Sequence, residues 1–292
     1  MNLCAMIRLF ISIYLIYSNT IFQAQSIEKA FILYNSEGKK TSVKKLLKDS
    51  KKANCILFGE YHDNPIAHWL QVEMARSLSN SKNLCFGFEM FESDQQELLD
   101  AYISGKLTDQ QFNDSCRLWP NFETDYKPIL TLAKEKGIPC IASNVKRKYA
   151  SLLFKKGRVA LDSLSEAEKM KFASLDFKID STLSQYREVR KMGGHGMGIG
   201  MMEAQAFKDA TMAMHIQKHL SLNFQVLHFN GAFHSDYFQG ILWYLMQERS
   251  FLIKSYLTIS TVSQSDINKL EKEHIGKANY ILCVPENMTK TH

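Results

Sequence analysis

The 292-residue chain has little proline and little glycine, 5 and 14 residues respectively. That excludes a collagen-like repeat and a Pro/Gly-rich low-complexity chain. It contains no Cys-x-x-Cys pair, so a thiolate zinc site is not expected, and no internal repeat of 20 to 50 residues, which excludes a solenoid or propeller. It also has no strong charge of one sign: 36 Lys and Arg stand against 30 Asp and Glu, a formal net charge of +6. The basic residues fall in short groups such as Lys39-Lys40, Lys44-Lys45 and Lys146 to Lys148, which read as solvated helix faces and not as a nucleic-acid surface. What remains is a chain that is 45% hydrophobic and 11% aromatic, enough to build a sizeable core.

The longest N-terminal apolar run, Leu9 to Tyr17, follows Arg8 and ends near Phe22-Gln23-Ala24-Gln25-Ser26. It is too short for a membrane span, which needs about 20 apolar residues. A positive start, a short apolar run and a small-residue exit describe a secretory signal peptide, expected over residues 1–25, with export of residues 26–292 to the periplasm, cell envelope or medium. An uncleaved anchor is the alternative. Cys4 precedes the apolar run, so the chain does not read as a lipoprotein. Four of the other cysteines, Cys55, Cys85, Cys140 and Cys283, sit inside apolar runs and behave as small buried hydrophobes, so no disulfide framework is expected.

Those four runs are the clearest strands, short and continuously apolar, as in a parallel sheet covered on both faces. Phe224 to Phe229 and Phe251 to Leu257 are two more. Helices are expected over Pro65 to Leu78 after the Asn64 cap, over Ser93 to Ser104, and over Thr124 to Lys136 before Gly137. Two further helices are expected over Met201 to Leu220 and Asp236 to Glu248. Strand and helix alternate, so the fold class is α/β, a mostly parallel sheet flanked by helices. Residues from about 149 to 220 lack a strand and read as a helical insertion before the last strands, with a surface helix at Ser163 to Lys171.

In open α/β sheets ligands bind beyond the carboxyl ends of the strands. There the sequence places Gly59-Glu60-Tyr61-His62-Asp63-Asn64, Glu89-Met90-Phe91-Glu92, Ser143-Asn144-Val145-Lys146-Arg147 and Asn230-Gly231-Ala232-Phe233-His234. Two turns share Gly-x-x-His: Gly59 with His62, and Gly231 with His234. Glycine lets the chain turn sharply off a strand, and the imidazole three residues on can point back over the rim. His62 and His234 with Glu60 or Glu89 suit a divalent metal with open positions, the other glutamate serving as general base. A hydrogen-bonded structural network fits the same spacing.

Taken together, Gly-Glu-x-His-Asp-Asn, Glu-Met-Phe followed by Asp-Gln-Gln, Gly-His-Gly-Met and the paired Gly-x-x-His turns resemble the ChaN-type haem-binding uptake proteins. These belong to the Tiki superfamily, which has erythromycin-esterase-like and TraB-like relatives. The resemblance runs from about Ala53 to Asp236. It implies a parallel α/β core with a helical insertion, export, and haem binding linked to iron uptake. The implied partners are haem and an outer-membrane or periplasmic haem-transport component, with homodimer formation open and no nucleic acid. Some Tiki relatives are metal-dependent peptidases, which implies His62, His234 and Glu60 as a metal set and Glu60 and Glu89 as catalytic carboxylates. Asn144 and Arg147 match an Asn-x-Pro-Arg motif in which Lys146 replaces proline, and Arg147 offers a fixed cationic fork for a propionate.

Haem needs an apolar slot, an axial ligand and cations. Met192 to Met202 supplies glycines, polarizable methionines and an exposed histidine, so His195 and Met197 join Asn144 and Arg147 as candidate haem contacts. Tyrosine ligation is open, with Tyr61, Tyr126 and Tyr149 nearest the rim. His215 and His219, four apart near a helix end, read as solvent-facing more than as ligands. Trp119-Pro120 and Tyr126-Lys127-Pro128 also match the family, and packing is their expected role.

Overall fold

A computed structural model describes residues 29–247 and 255–292 of the chain. The segment expected to be a signal peptide, residues 1–25, therefore lies outside the described residues, as do residues 26–28. Residues 31–292 form one compact unit.

The chain enters through strand β1 (Ile32–Asn35) and helix α1 (Val43–Ser50), then β2 (Cys55–Glu60) and α2 (Pro65–Leu78). The first is a strand of four residues, too short to show as a long apolar run. Next come β3 (Leu84–Glu92), α3 (Gln96–Ile103), α4 (Asp109–Ser115), α5 (Lys127–Lys136) and β4 (Cys140–Asn144). The insertion carries α6 (Arg147–Lys156), a short α7 (Glu166–Lys169), α8 (Ser184–Met192) and the 28-residue α9 (Gly194–Ser221). β5 (Gln225–Gly231), α10 (Ile241–Gln247), β6 (Tyr256–Gln264) and β7 (Tyr280–Pro285) complete the fold. The seven strands form one sheet in the order β1-β7-β6-β2-β5-β3-β4, parallel except at the β1 edge.

Local sequence explains the boundaries. Asn64 caps α2, its side chain accepting the Ala67 amide at 2.9 Å, and Pro65 fills the first turn, where its missing N–H is no loss. Gly137 closes α5 in the left-handed region at φ 63°. The surface helix expected from Ser163 shrinks to α7, capped by Ser165. Of the strand expected over Phe251 to Leu257, residues 251–254 lie outside the described residues, and β6 takes up its end at Tyr256. Its strand is Thr- and Ser-rich, and it is held partly by polar contacts such as Thr261 Oγ1 donating to Gly59 O at 2.9 Å.

Both sheet faces are dry. Ile56, Phe58, Phe86 and Phe88 point into a core closed by α2, α3 and α5. Cys55, Leu57, Cys85 and Ile141 point the other way, against Met212, Ala213 and Ile216 of α9 and Ile241 and Leu245 of α10. Each such side chain contributes roughly 1.5–3 kcal/mol when fully buried. All five cysteines of the described residues are buried and free. The insertion builds its own core around Tyr149, Leu153, Phe172 and Phe207.

The helix expected from Met201 begins earlier, at Gly194, inside the Met- and Gly-rich segment. Its glycines serve close packing. A Cβ on Gly198 would lie 2.2 Å from the Arg190 carbonyl oxygen, and one on Gly200 would lie 2.6 Å from that of Phe154. Glycine there lets α9 fold back against α8 and α6 at backbone distance.

Candidate functional site

β2 and β5 are parallel neighbours, and their register sets Gly59 opposite Asn230 and Glu60 opposite Gly231. The two Gly-x-x-His turns therefore leave the same end of the sheet side by side. A Cβ on Gly231 would stand 2.8 Å from His62 Nε2 and 3.6 Å from Glu89 Oε2, so the missing side chain makes the space in which both turns and β3 meet. The cavity over this rim measures about 510 Å³ and is lined by Glu60, Tyr61, His62, Gln205, Phe233 and His234, among others.

Glu60 is buried at the end of β2 and fully engaged. Its Oε1 accepts from Tyr126 Oη at 2.6 Å and from His62 Nδ1 at 2.7 Å. Its Oε2 accepts from the Gln71 amide and lies 3.6 Å from His68 Nδ1. Burial alone would raise its pKa, but the His62 hydrogen bond, the charges of His68 and His62, and the Tyr126 hydroxyl hold it below the usual carboxylate value. A carboxylate only accepts, so His62 Nδ1 carries the hydrogen and Nε2 is directed to the cavity beside Gly231. Burial works to lower the His62 pKa, and the neighbouring carboxylates of Glu60 and Glu89 outweigh it and raise it. Trp119 meets the His62 ring edge-on, centroids 4.8 Å apart. Tyr126, expected to serve packing, is thus a hydrogen-bond donor to the site.

His234 has a different environment. Its Nε2 is 3.1 Å from Glu89 Oε1, and its Nδ1 donates to Asp209 Oδ1. Glu89 Oε2 accepts the Gly231 amide at 2.7 Å, and Asp209 Oδ2 accepts the Tyr186 hydroxyl at 2.8 Å. With a carboxylate at each ring nitrogen, both nitrogens donate and the ring is an imidazolium. Burial alone would depress its pKa, but Glu89 and Asp209 carry it up to about 10. The same burial raises Asp209, while Glu89 is held far below its usual value by His234 and His62. The shared proton belongs on His234, because Glu89 stabilises it from the far side and Tyr186 donates to Asp209.

The expected metal set is therefore split into two satisfied pairs, Glu60 with His62 and Glu89 with His234. Of the two motif histidines, His62 turns a ring nitrogen, Nε2, to the cavity, since both His234 nitrogens face carboxylates. Asn144 and Arg147 do not line the cavity. Asn144 is buried with Oδ1 unpartnered, and Arg147 is exposed at the start of α6, where Lys146 pairs with Asp94 at 2.8 Å. Met197 is 58% exposed near the start of α9, roughly 12 Å along the helix from Gln205. The side chain of His195 lies outside the described residues. His215 and His219 are half-buried and each approaches a backbone carbonyl, at 3.1 and 2.9 Å, instead of facing water. Tyr61 lines the cavity, whereas Tyr149 donates to Glu168 in the insertion.

Sequence reasoning missed Asp209, His68, Gln71 and the tail residues Lys290 and His292, which line the cavity mouth. Asp209 carried a signal. It sits in the apolar stripe of α9 formed by Ala206, Ala210, Ala213 and Ile216, where an unpaired carboxylate would not be tolerated. His68 and Gln71 interrupt the buried face of α2 in the same way.

A parallel sheet covered on both faces, with paired Gly-x-x-His turns at its carboxyl end and a helical insertion over it, defines the α/β class of the Tiki superfamily. Within that class the chain belongs to the haem-binding uptake (ChaN) family, whose model matches residues 46–245. It is similar in fold to ChaN of Campylobacter jejuni, whose structure describes cofacial haem binding, at TM-score 0.65 and 17% identity, covering 87% of this chain and 97% of that one. It is also similar to an erythromycin esterase mutant in its open conformation, at TM-score 0.50 and 9% identity, covering 86% and 97% respectively. Among curated proteins none is significantly similar to the chain. No helix of the described residues is long and apolar enough to cross a membrane.

Proposed function

We propose that the protein binds haem at the strand-end cavity and serves an iron-uptake route after export. The family match supports haem as the ligand, and one observation carries the assignment of place. His62 is oriented by Glu60 through Nδ1, which leaves Nε2 free in a cavity of about 510 Å³. That volume lies in the range of ligand sites, and a carboxylate behind a coordinating imidazole fixes its tautomer and raises its basicity. Tyr61 and Phe233 supply apolar wall, and Lys290 at the mouth, paired with Asp63 at 2.5 Å, supplies a cation within reach of a propionate. Bound haem would contribute an iron centre with an open axial position for His62. The chain's own part is to orient that imidazole and to exclude water. Arg147 and Met197 belong to an outer surface on this reading, available to a haem-transport component or a second copy. Residues 1–25 act as the signal peptide and 26–292 as the exported domain. Titrating the purified protein with haemin is expected to give a saturable Soret shift at one equivalent. The absence of stoichiometric binding at micromolar haemin overturns the proposal.

A second reading is a metal-dependent hydrolase using His62, His234 and Glu60 with Glu89 as base. It is favoured by His62, His234 and Glu60 lining one cavity, with Glu89 behind His234 at 3.1 Å. It requires a divalent metal in the purified protein that is lost on His62→Ala, and peptide or ester cleavage that is lost with it. Metal content and cleavage that survive this change exclude it.

A further inference from the structure

Away from the strand-end cavity, the connection between β6 and β7 carries a second group of donors. Glu271, Glu273 and His274 each offer one ligand atom, and the three atoms lie within 4.8 Å of one another. His274 Nε2 is 3.9 Å from Glu271 Oε2. The two glutamates are exposed, whereas His274 is only 5% exposed and neither of its ring nitrogens has a hydrogen-bond partner. A buried imidazole with both nitrogens unpaired is costly. One directed at two carboxylates is what a metal site without its ion looks like.

The loop is built to hold still. The buried Gln264 side chain donates to the carbonyls of Asp266 and Lys269, at 2.5 and 2.9 Å, and accepts the Glu271 amide at 3.1 Å. Tyr34 Oη donates to the Ile267 carbonyl at 2.6 Å, and Tyr237 Oη donates to that of Glu273 at 3.0 Å. Backbone bonds from Tyr237 N to Lys277 O and from Gly276 N to Ser36 O pin the other side. Fixed backbone and mobile carboxylates suit a site that closes by small rotations, since ligands about 2.0–2.2 Å from a metal stand a little closer together than 3.9 Å.

We propose that Glu271, Glu273 and His274 bind one divalent transition cation of the zinc type. The donor set is one imidazole nitrogen and two carboxylate oxygens, whose two negative charges match the ion, and water completes the coordination. Oxygen-only cations such as calcium and magnesium are disfavoured by the imidazole. The ion would tie the β6–β7 connection to the turn after β5 through Tyr237, close to Asp236 and Lys277, which are themselves 3.6 Å apart.

The test is calorimetric titration of tag-free, haem-free protein with zinc chloride, alongside E271Q, E273Q and H62A. Both glutamates are exposed, so the Gln variants are expected to keep the wild-type circular dichroism. The expected result is one zinc per chain at micromolar affinity or better, weakened at least tenfold in E271Q and in E273Q and unchanged in H62A. Cobalt substitution should give visible d–d bands that E271Q and E273Q weaken. Absence of zinc binding to wild type, or binding that both Gln variants retain, overturns the proposal. Zinc that H62A alone removes would place the metal in the strand-end cavity, and this too overturns it. Haemin binding is measured separately, so its failure leaves this result standing.

Discussion

The imidazole of His234 and the carboxylate of Glu89 are buried together, with Nε2 3.1 Å from Oε1 at the carboxyl end of the sheet. The far side of the ring is held by Asp209, which leaves His234 charged and fixed in place. It is better described as a buried cation locked between two strands and a helix than as a free ligand.

That arrangement makes stability depend on pH in a predictable direction. The His234 pKa rises from 6.5 to about 10, so its contribution is fully present below pH 6.5 and is lost between 6.5 and 10. Glu89 is lowered from 4.5, so its contribution is present above pH 4.5 and is lost as the pH falls below that. The pair therefore supports the fold best between these limits. Asp209→Asn should cost about 3 kcal/mol in urea unfolding at pH 6, because it breaks a buried pair from one side. It should also move the alkaline loss of stability to lower pH. An unchanged alkaline limb in the variant would contradict the imidazolium assignment.

A second prediction concerns the other pair. Tyr126 Oη donates to Glu60 Oε1 at 2.6 Å, in a pocket closed to water. Tyr126→Phe removes the donor and keeps the ring, so the loss is that of one hydrogen bond to a buried charge, about 2 kcal/mol. Urea unfolding should show a lower midpoint with an unchanged m-value. A loss below about 0.5 kcal/mol would mean that His62 and Gln71 alone satisfy Glu60.

The sheet and its rim were legible because a buried parallel strand leaves an unmistakable apolar run, and because glycine at a strand end followed by a histidine has few structural uses. Glu60, His62, Glu89 and His234 were found that way. Three things hid the rest. β1 is four residues long, too short for the apolar run that marks a central strand, and the Thr- and Ser-rich part of β6 beyond Leu257 has none either. Asp209, His68 and Gln71 lie on helix faces, and only the fold reveals which group of the rim each face meets. The glycines at the start of α9 left its beginning at Met201 in the sequence, because glycine signals either freedom or closeness. At Gly198 the neighbour that decides between them is a carbonyl in another helix.

That helix crossing gives a third prediction. Gly198→Ala would place a methyl group 2.2 Å from the Arg190 carbonyl oxygen, a backbone atom that can move only with α8. In an ordinary exposed helix, Gly to Ala gains up to about 1 kcal/mol. Here the steric cost should reverse the sign and destabilise by about 1–3 kcal/mol. Thermal melts of Gly198→Ala and wild type decide the matter, and a melting point raised by the substitution would show that α9 does not pack at backbone distance.

The haem assignment makes the last prediction, which compares two residues both expected at the site from sequence. His62 presents Nε2 to the cavity, whereas Arg147 is exposed outside it. His62→Ala should weaken haemin binding at least tenfold and shift the Soret band, because an axial ligand is lost. Arg147→Ala should leave affinity within about twofold, as removing one solvent-screened charge does. Ligation also requires Nε2 without a proton, and the His62 pKa is raised above 6.5 by Glu60 and Glu89 acting against burial. Affinity should therefore already decline as the pH is lowered toward 6.5, and fall further below it. Haemin titrations of the three proteins at several pH values test this. Equal losses in the two variants would place the ligand over the β4 end of the sheet, and a pH-independent affinity would point to a ligand other than His62.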